Sequence, residues 1–182
     1  MRAMLDKLYV IGGVLGALFL FGIFLIVLLQ VGANLIDFIS SALTGHAIGL
    51  TIPSYAEIAG FMLAGASFLS LPYALRHGTH IRVNLFIQRL GAKGQQLTDI
   101  WSFLIGTALT GWLAYYAWEL VLESYEYGDL STGLIAVPIW IPQVSLALGT
   151  TLMSVSMLDG FVSSLMQKDF FIKAENADLG VE

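Results

Sequence analysis

LFLFGIFLIVLL, residues 18–29, carries no charged and no hydrogen-bonding side chain, and its residues do not alternate between apolar and polar. A barrel strand facing lipid on one side would alternate with a period of two. In a bilayer only helices and closed barrels satisfy the backbone, so this run is expected to be a membrane helix. Outward from it, the stretch free of Asp, Glu, Lys and Arg widens to residues 8–36, and three more such stretches follow at 58–75, 100–118 and 130–158. A helical span needs about 20 residues, with a tolerance of a few. The first and last stretches, 29 residues each, would be about 43 Å long if helical throughout. That exceeds a hydrocarbon core of about 30 Å, so they must tilt, bend or project into the interface.

The rest of the composition agrees with lipid as the main solvent. The chain of 182 residues is 57% hydrophobic and 12% charged, with a mean hydropathy of +0.81. A soluble domain carries about 25% charged residues. The absence of cysteine excludes disulfides, thiolate metal sites and cysteine nucleophiles. Arg2 and Lys7 give the positive start of a signal peptide, but the apolar run that follows is longer than an h-region of about 7–15 residues. It is therefore expected to be a retained helix. The expected fold is an all-α membrane protein: one domain over residues 1–182, with four transmembrane helices at about 8–36, 54–75, 97–118 and 134–158.

Charge sorts along the chain. Two of the eight basic residues precede the first span (Arg2, Lys7), four lie between the second and third (Arg76, Arg82, Arg89, Lys93), and two follow the fourth (Lys168, Lys173). The opposite loops hold Asp37, Glu57, Glu119, Glu123, Glu126 and Asp129. The positive-inside rule then places both termini and the loop RHGTHIRVNLF, residues 76–86, in the cytoplasm. Trp101 marks the inner end of span three; Tyr115, Tyr116 and Trp118 mark its outer end, and Trp140 sits near the outer start of span four.

Pumps and proton relays place ionisable groups within the membrane. The middle of each span here has none, which suggests a helper of another membrane protein. Ahead of span two, Ser54-x-x-Glu57 fits a capping box; Glu57 is read either as that cap or as a partner-facing carboxylate. Small residues recur at a spacing of four (Gly12 and Gly16, Gly60 and Ala64, Gly106 and Thr110), a pattern that lets helices approach closely. Pro72 is expected to bend span two, and Pro138 and Pro142 to make the start of span four irregular.

In the basic loop, Val83, Phe86, Ile87 and Leu90 follow the template of an amphipathic helix, with Arg82 and Arg89 on another face and Gly91 as a C-terminal stop. Such a helix would lie on the inner membrane surface with its arginines toward phosphates. The same cations, Arg76, His80 and Arg82, could instead dock on a partner. Lipid and partner are compatible, and both remain open. His77 and His80 are neighbours in this loop, whereas His46 is expected across the membrane. Haem ligation would need facing histidines at similar depth, and zinc would need further ligands nearby. No cofactor or metal is expected.

The short second span ending in Arg76, Gly78, His80, Ile81, Arg82 and Val83 resembles the small, DctQ-type membrane subunit of tripartite ATP-independent periplasmic (TRAP) transporters. Glu57 ahead of that span and the Pro-x-Trp-x-Pro of residues 138–142 share the likeness, which extends to the four-span layout. Members often carry Asp after the valine; here it is Asn84, which removes a possible salt-bridge partner. The resemblance implies a static, non-catalytic scaffold for a large DctM-type subunit that holds the substrate and sodium sites. A periplasmic protein would deliver the substrate, commonly a carboxylate. The implied location is the bacterial inner membrane, with lipids as further partners and no nucleic acid. On this reading Arg76, Gly78, His80, Arg82, Arg89 and Lys93 dock lipid or partner. Glu119, Glu123, Glu126 and Asp129 either touch the periplasmic protein or stay solvated. Two competing readings are a membrane anchor of a quinone-linked oxidoreductase, which the misplaced histidines disfavour, and a small channel, which the apolar spans disfavour.

Overall fold

Four helices account for nearly all the residues that the computed structural model describes, which are 2–77 and 92–166. They are α1 (Arg2–Thr44), α2 (Tyr55–Arg76), α3 (Ala92–Tyr127) and α4 (Trp140–Leu165), each long and apolar enough to cross a membrane. The amphipathic segment expected after Gly78, with His80, Arg82 and Arg89, lies outside the described residues, as do the side chain of Lys93 and residues Lys168 and Lys173.

The helices pack in the order α1, α2, α4, α3. The result is a row in order of contact with α1 and α3 at its two ends, and Tyr9 and Gly12 of α1 also reach α4. In lipid no hydrophobic force drives helices together, so small residues decide where they meet. A Cβ on Gly12 would lie 2.6 Å from the Leu69 carbonyl oxygen, and one on Gly16 would lie 3.0 Å from that of Ala66. This pair therefore seats α1 on α2. The seam of α3 against α4 runs through Phe103, Thr107, Thr110, Ala114, Ala117, Val121 and Ser124, at alternating spacings of four and three, as in a coiled coil. α4 is the central member: Gly149 meets the Phe68 backbone of α2 and Gly160 meets the Phe103 ring of α3. Gly60 has open space around it and packs against nothing among the described residues.

Helices α1, α3 and α4 depart from the expected spans, and α3 runs past both ends of 97–118, from Ala92 to Tyr127. α1 continues to Thr44, eight residues past the first charge-free stretch, because residues 45–52 return along it and use its polar side chains. The Ile52 N–H donates to Gln30 Oε1 (2.9 Å), whose Nε2 donates to Asn34 Oδ1 (2.9 Å), and the Gly49 N–H donates to Asp37 Oδ1 (3.1 Å). Ser40 and Thr44 hydroxyls both donate to the His46 carbonyl. Backbone outside a helix needs such partners where water is scarce, which gives the buried Gln30 its role. α2 continues through Pro72 to Arg76. α4 starts at Trp140, because residues 130–138 form a turn closed by a bridge between Leu130 and Pro138.

Candidate functional site

The candidate positions fall into three groups. At the end of α2, Arg76 is buried, its side chain 8% exposed, and its Nε donates to Asp6 Oδ1 of α1 at 2.9 Å. The neighbouring Tyr9 is fully enclosed, with Ser156 and Asp159 of α4 close to its hydroxyl. Thus three helices meet around one ion pair. Arg76, expected to bond a partner or lipid, is held by a carboxylate of its own chain. The sequence reading passed over Asp6. Its signal is an acid set between Arg2 and Lys7, at an end of the chain that is otherwise basic. His77 follows, exposed, its Nδ1 2.9 Å from the Tyr73 carbonyl and its ring tilted on the Tyr73 ring at 4.0 Å.

At the other end of α2, Ser54 occupies the N-cap position, but the expected capping box is not formed. Its backbone is left-handed (φ 57°), which turns the hydroxyl away from the first helical turn. That oxygen instead accepts the Ile135 N–H at 3.0 Å, while the Ser54 carbonyl accepts the first helical bond from Ile58. Glu57 Oε2 is buried against Gly133, where a Cβ would collide with it, and has no hydrogen-bond partner among the described residues. Ser54 and Glu57 therefore join α2 to the turn that precedes α4, a contact 81 residues apart in sequence for Ser54 and Ile135.

The third group is a stripe on α3. Glu119, Glu123 and Glu126 are exposed and recur at spacings of four and three, on the face opposite the α4 seam. Trp112, Tyr115 and Tyr116 continue that face toward the start of α3, and the Tyr115 hydroxyl donates to Glu119 Oε1 at 2.8 Å. Asp129 lies beyond Gly128 in the following turn, where its carbonyl accepts the Ile139 N–H at 3.0 Å. The structure brings the three glutamates together and leaves them far along the layer from Arg76.

Comparison with known proteins gives this geometry a context. Residues 23–167 match the family described as the DctQ component of tripartite ATP-independent periplasmic transporters. Among curated proteins, the chain is similar to the ectoine TRAP transporter small permease protein TeaB of Halomonas elongata. The two are 24% identical over 140 residues, which is 77% of this chain and 72% of that protein. Four helices of spanning length, lying largely within the matched region, accord with a permease component. The chain belongs to the DctQ component family of TRAP transporters.

Proposed function

We propose that this chain is the scaffold of a TRAP-type secondary transporter and is itself non-catalytic. It would hold a large DctM-type subunit that performs sodium-coupled uptake of a carboxylate delivered by a periplasmic binding protein. The observation that supports the reading is the open packing. Among the described residues α1 and α3 at the ends of the row are not packed against each other, so these helices do not close around a path of their own, and a moving solute would travel through another subunit. The exposed apolar surface of both edges, from Leu18, Phe21 and Leu28 on α1 to Leu109 and Trp112 on α3, suits a protein that lives among lipids and other membrane helices. The inner membrane is the proposed location, both termini cytoplasmic. The basic loop, including Gly78, His80, Arg82, Arg89 and Lys93, would dock inner-leaflet phosphates or the large subunit.

The test is recovery of the tagged chain from native membranes in mild detergent. One stoichiometric, many-spanning protein is expected in the eluate. Elution of the chain alone, or with flavin and iron–sulfur subunits, contradicts the scaffold reading.

The glutamate stripe is a separate matter. Solvation accounts for exposed carboxylates at a helix end, so reversal of Glu119, Glu123, Glu126 and Asp129 to lysine is expected to leave the dependence of transport on binding-protein concentration unchanged. A raised half-saturating concentration would instead place the periplasmic protein on this stripe.

A further inference from the structure

The four charge-free stretches are out of step along the row. The midpoint of 8–36 is Gly22, which lies against Met62 of α2. The stretch on α2 itself, 58–75, centres at residues 66 and 67. The helical charge-free part of α4, 140–158, centres on Gly149, which sits against Phe68. On α3, 100–118 centres on Leu109, between Gly106, which meets Met157, and Gly111, which meets Ser154. That level on α4 is near Met153, which packs with Phe103 and Leu75. Expressed on α2, the centres therefore fall at about residues 62, 66, 68 and 75, stepping inward in the same order as the helices in the row. The displacement from α1 to α3 is about 20 Å at 1.5 Å per residue. At most three interhelical spacings of about 9 Å separate the two edges.

We propose that the interaction surface of these helices with the bilayer is oblique, the helices leaning along the direction of the row by at least about 35° from the membrane normal, at the upper end of the roughly 0–40° range of membrane helices. At that lean a core of about 30 Å takes up about 24 residues of helix. Centred on the four midpoints, such windows reach Asn34 on α1, Ser54 on α2, Leu120 or Val121 on α3 and Val137 at the start of α4. Each lies at or within a few residues of the first polar group on its side.

An upright row fails at both edges. Ala117 packs with Ala147 in one cluster, two residues from Gly149 and so level with the middle of α2. Glu119 would then face lipid near mid-membrane, where a charge is costly. At the other edge Phe38 and Leu43, 72% and 80% exposed, would stand in water about 13 and 20 Å beyond the start of α2. The lean raises Glu119 to the outer headgroups and lowers the end of α1 toward them.

The chain has no cysteine, so single nitroxides can be placed without a modified background. Phe21→Cys and Leu109→Cys, both exposed on opposite edges, would be read for depth in phospholipid nanodiscs by the ratio of oxygen to nickel-chelate collisions. Leu18→Cys and Ile105→Cys form a second matched pair, each four residues inward of its midpoint. Helical circular dichroism identifies the pairs that fold. Equal depths within about 5 Å in a pair are expected. A depth difference near 20 Å, the upright value, overturns the proposal.

Discussion

Gly149→Leu is expected to abolish the α2–α4 interface, and with it the folded layer. Even a Cβ at this position would lie 2.5 Å from both the carbonyl carbon and the carbonyl oxygen of Phe68. Those atoms belong to the α2 backbone, so no rotamer change relieves the collision; the helices must separate. Overpacking a well-fitted site costs about 1–3 kcal/mol, which is the expectation for Gly149→Ala. A leucine forces a larger separation and exceeds it. Because α4 also carries α3, parting α2 from α4 splits the row into two pairs. The readout is the helical signal during titration of detergent-solubilised protein with dodecyl sulfate. Gly60→Ala is the control, since nothing lies within 4 Å of a Cβ there. It should leave the midpoint unchanged or raise it slightly, because alanine favours helix over glycine by about 1 kcal/mol. Equal behaviour of the two alanine variants would show that α2 and α4 do not meet at this glycine.

The same glycine shows what a sequence discloses and what it withholds. That four helices cross a membrane follows from length and the absence of charge, quantities carried by each residue independently. Which helices touch is a pairwise matter. Gly12 and Gly16 stood out because they share a face of α1, and they do seat α1 on α2. Gly60 and Ala64 have the same spacing, yet Gly60 opens onto empty space. Gly149 and Gly160, eleven residues apart, show no short spacing, because each faces a different neighbour. Their role becomes visible only once α4 is known to be central. At Ser54 the local pattern pointed to a cap, but the left-handed backbone and the distant Ile135 N–H redirected the hydroxyl. A tertiary partner overrode a local preference. The polar stripe of Gln30, Asn34 and Asp37 was legible in principle. Its four- and three-residue spacing on an apolar helix signals backbone nearby that needs hydrogen bonds.

Charge exchange between Asp6 and Arg76 separates an internal from an external role for this arginine. The pair lies at 2.9 Å with the arginine almost enclosed and the aspartate about one-third exposed. Breaking a buried pair by removing one partner costs about 3–5 kcal/mol. Exposure of Asp6 reduces that, so Asp6→Asn is expected to destabilise by about 1–3 kcal/mol. Arg76→Asp should cost more, since it sets two carboxylates at one buried point beside Tyr9 and Asp159. Asp6→Arg combined with Arg76→Asp re-forms an opposite-charge pair across the same two helices and should regain part of the loss. A double-mutant cycle would give a coupling of about 1–3 kcal/mol. The accompanying measurement is recovery of the large subunit with each variant. If Arg76 acts by joining α1 to α2, recovery follows stability, and the exchanged variant restores both. If the guanidinium bonds the partner, the exchanged variant regains stability while partner recovery stays lost. The enclosure of Arg76 between α1 and α2 favours the first outcome. The family-like stretch beginning at Arg76 would then open with a residue that fixes the scaffold's own shape, leaving lipid or partner docking to the basic residues that follow it.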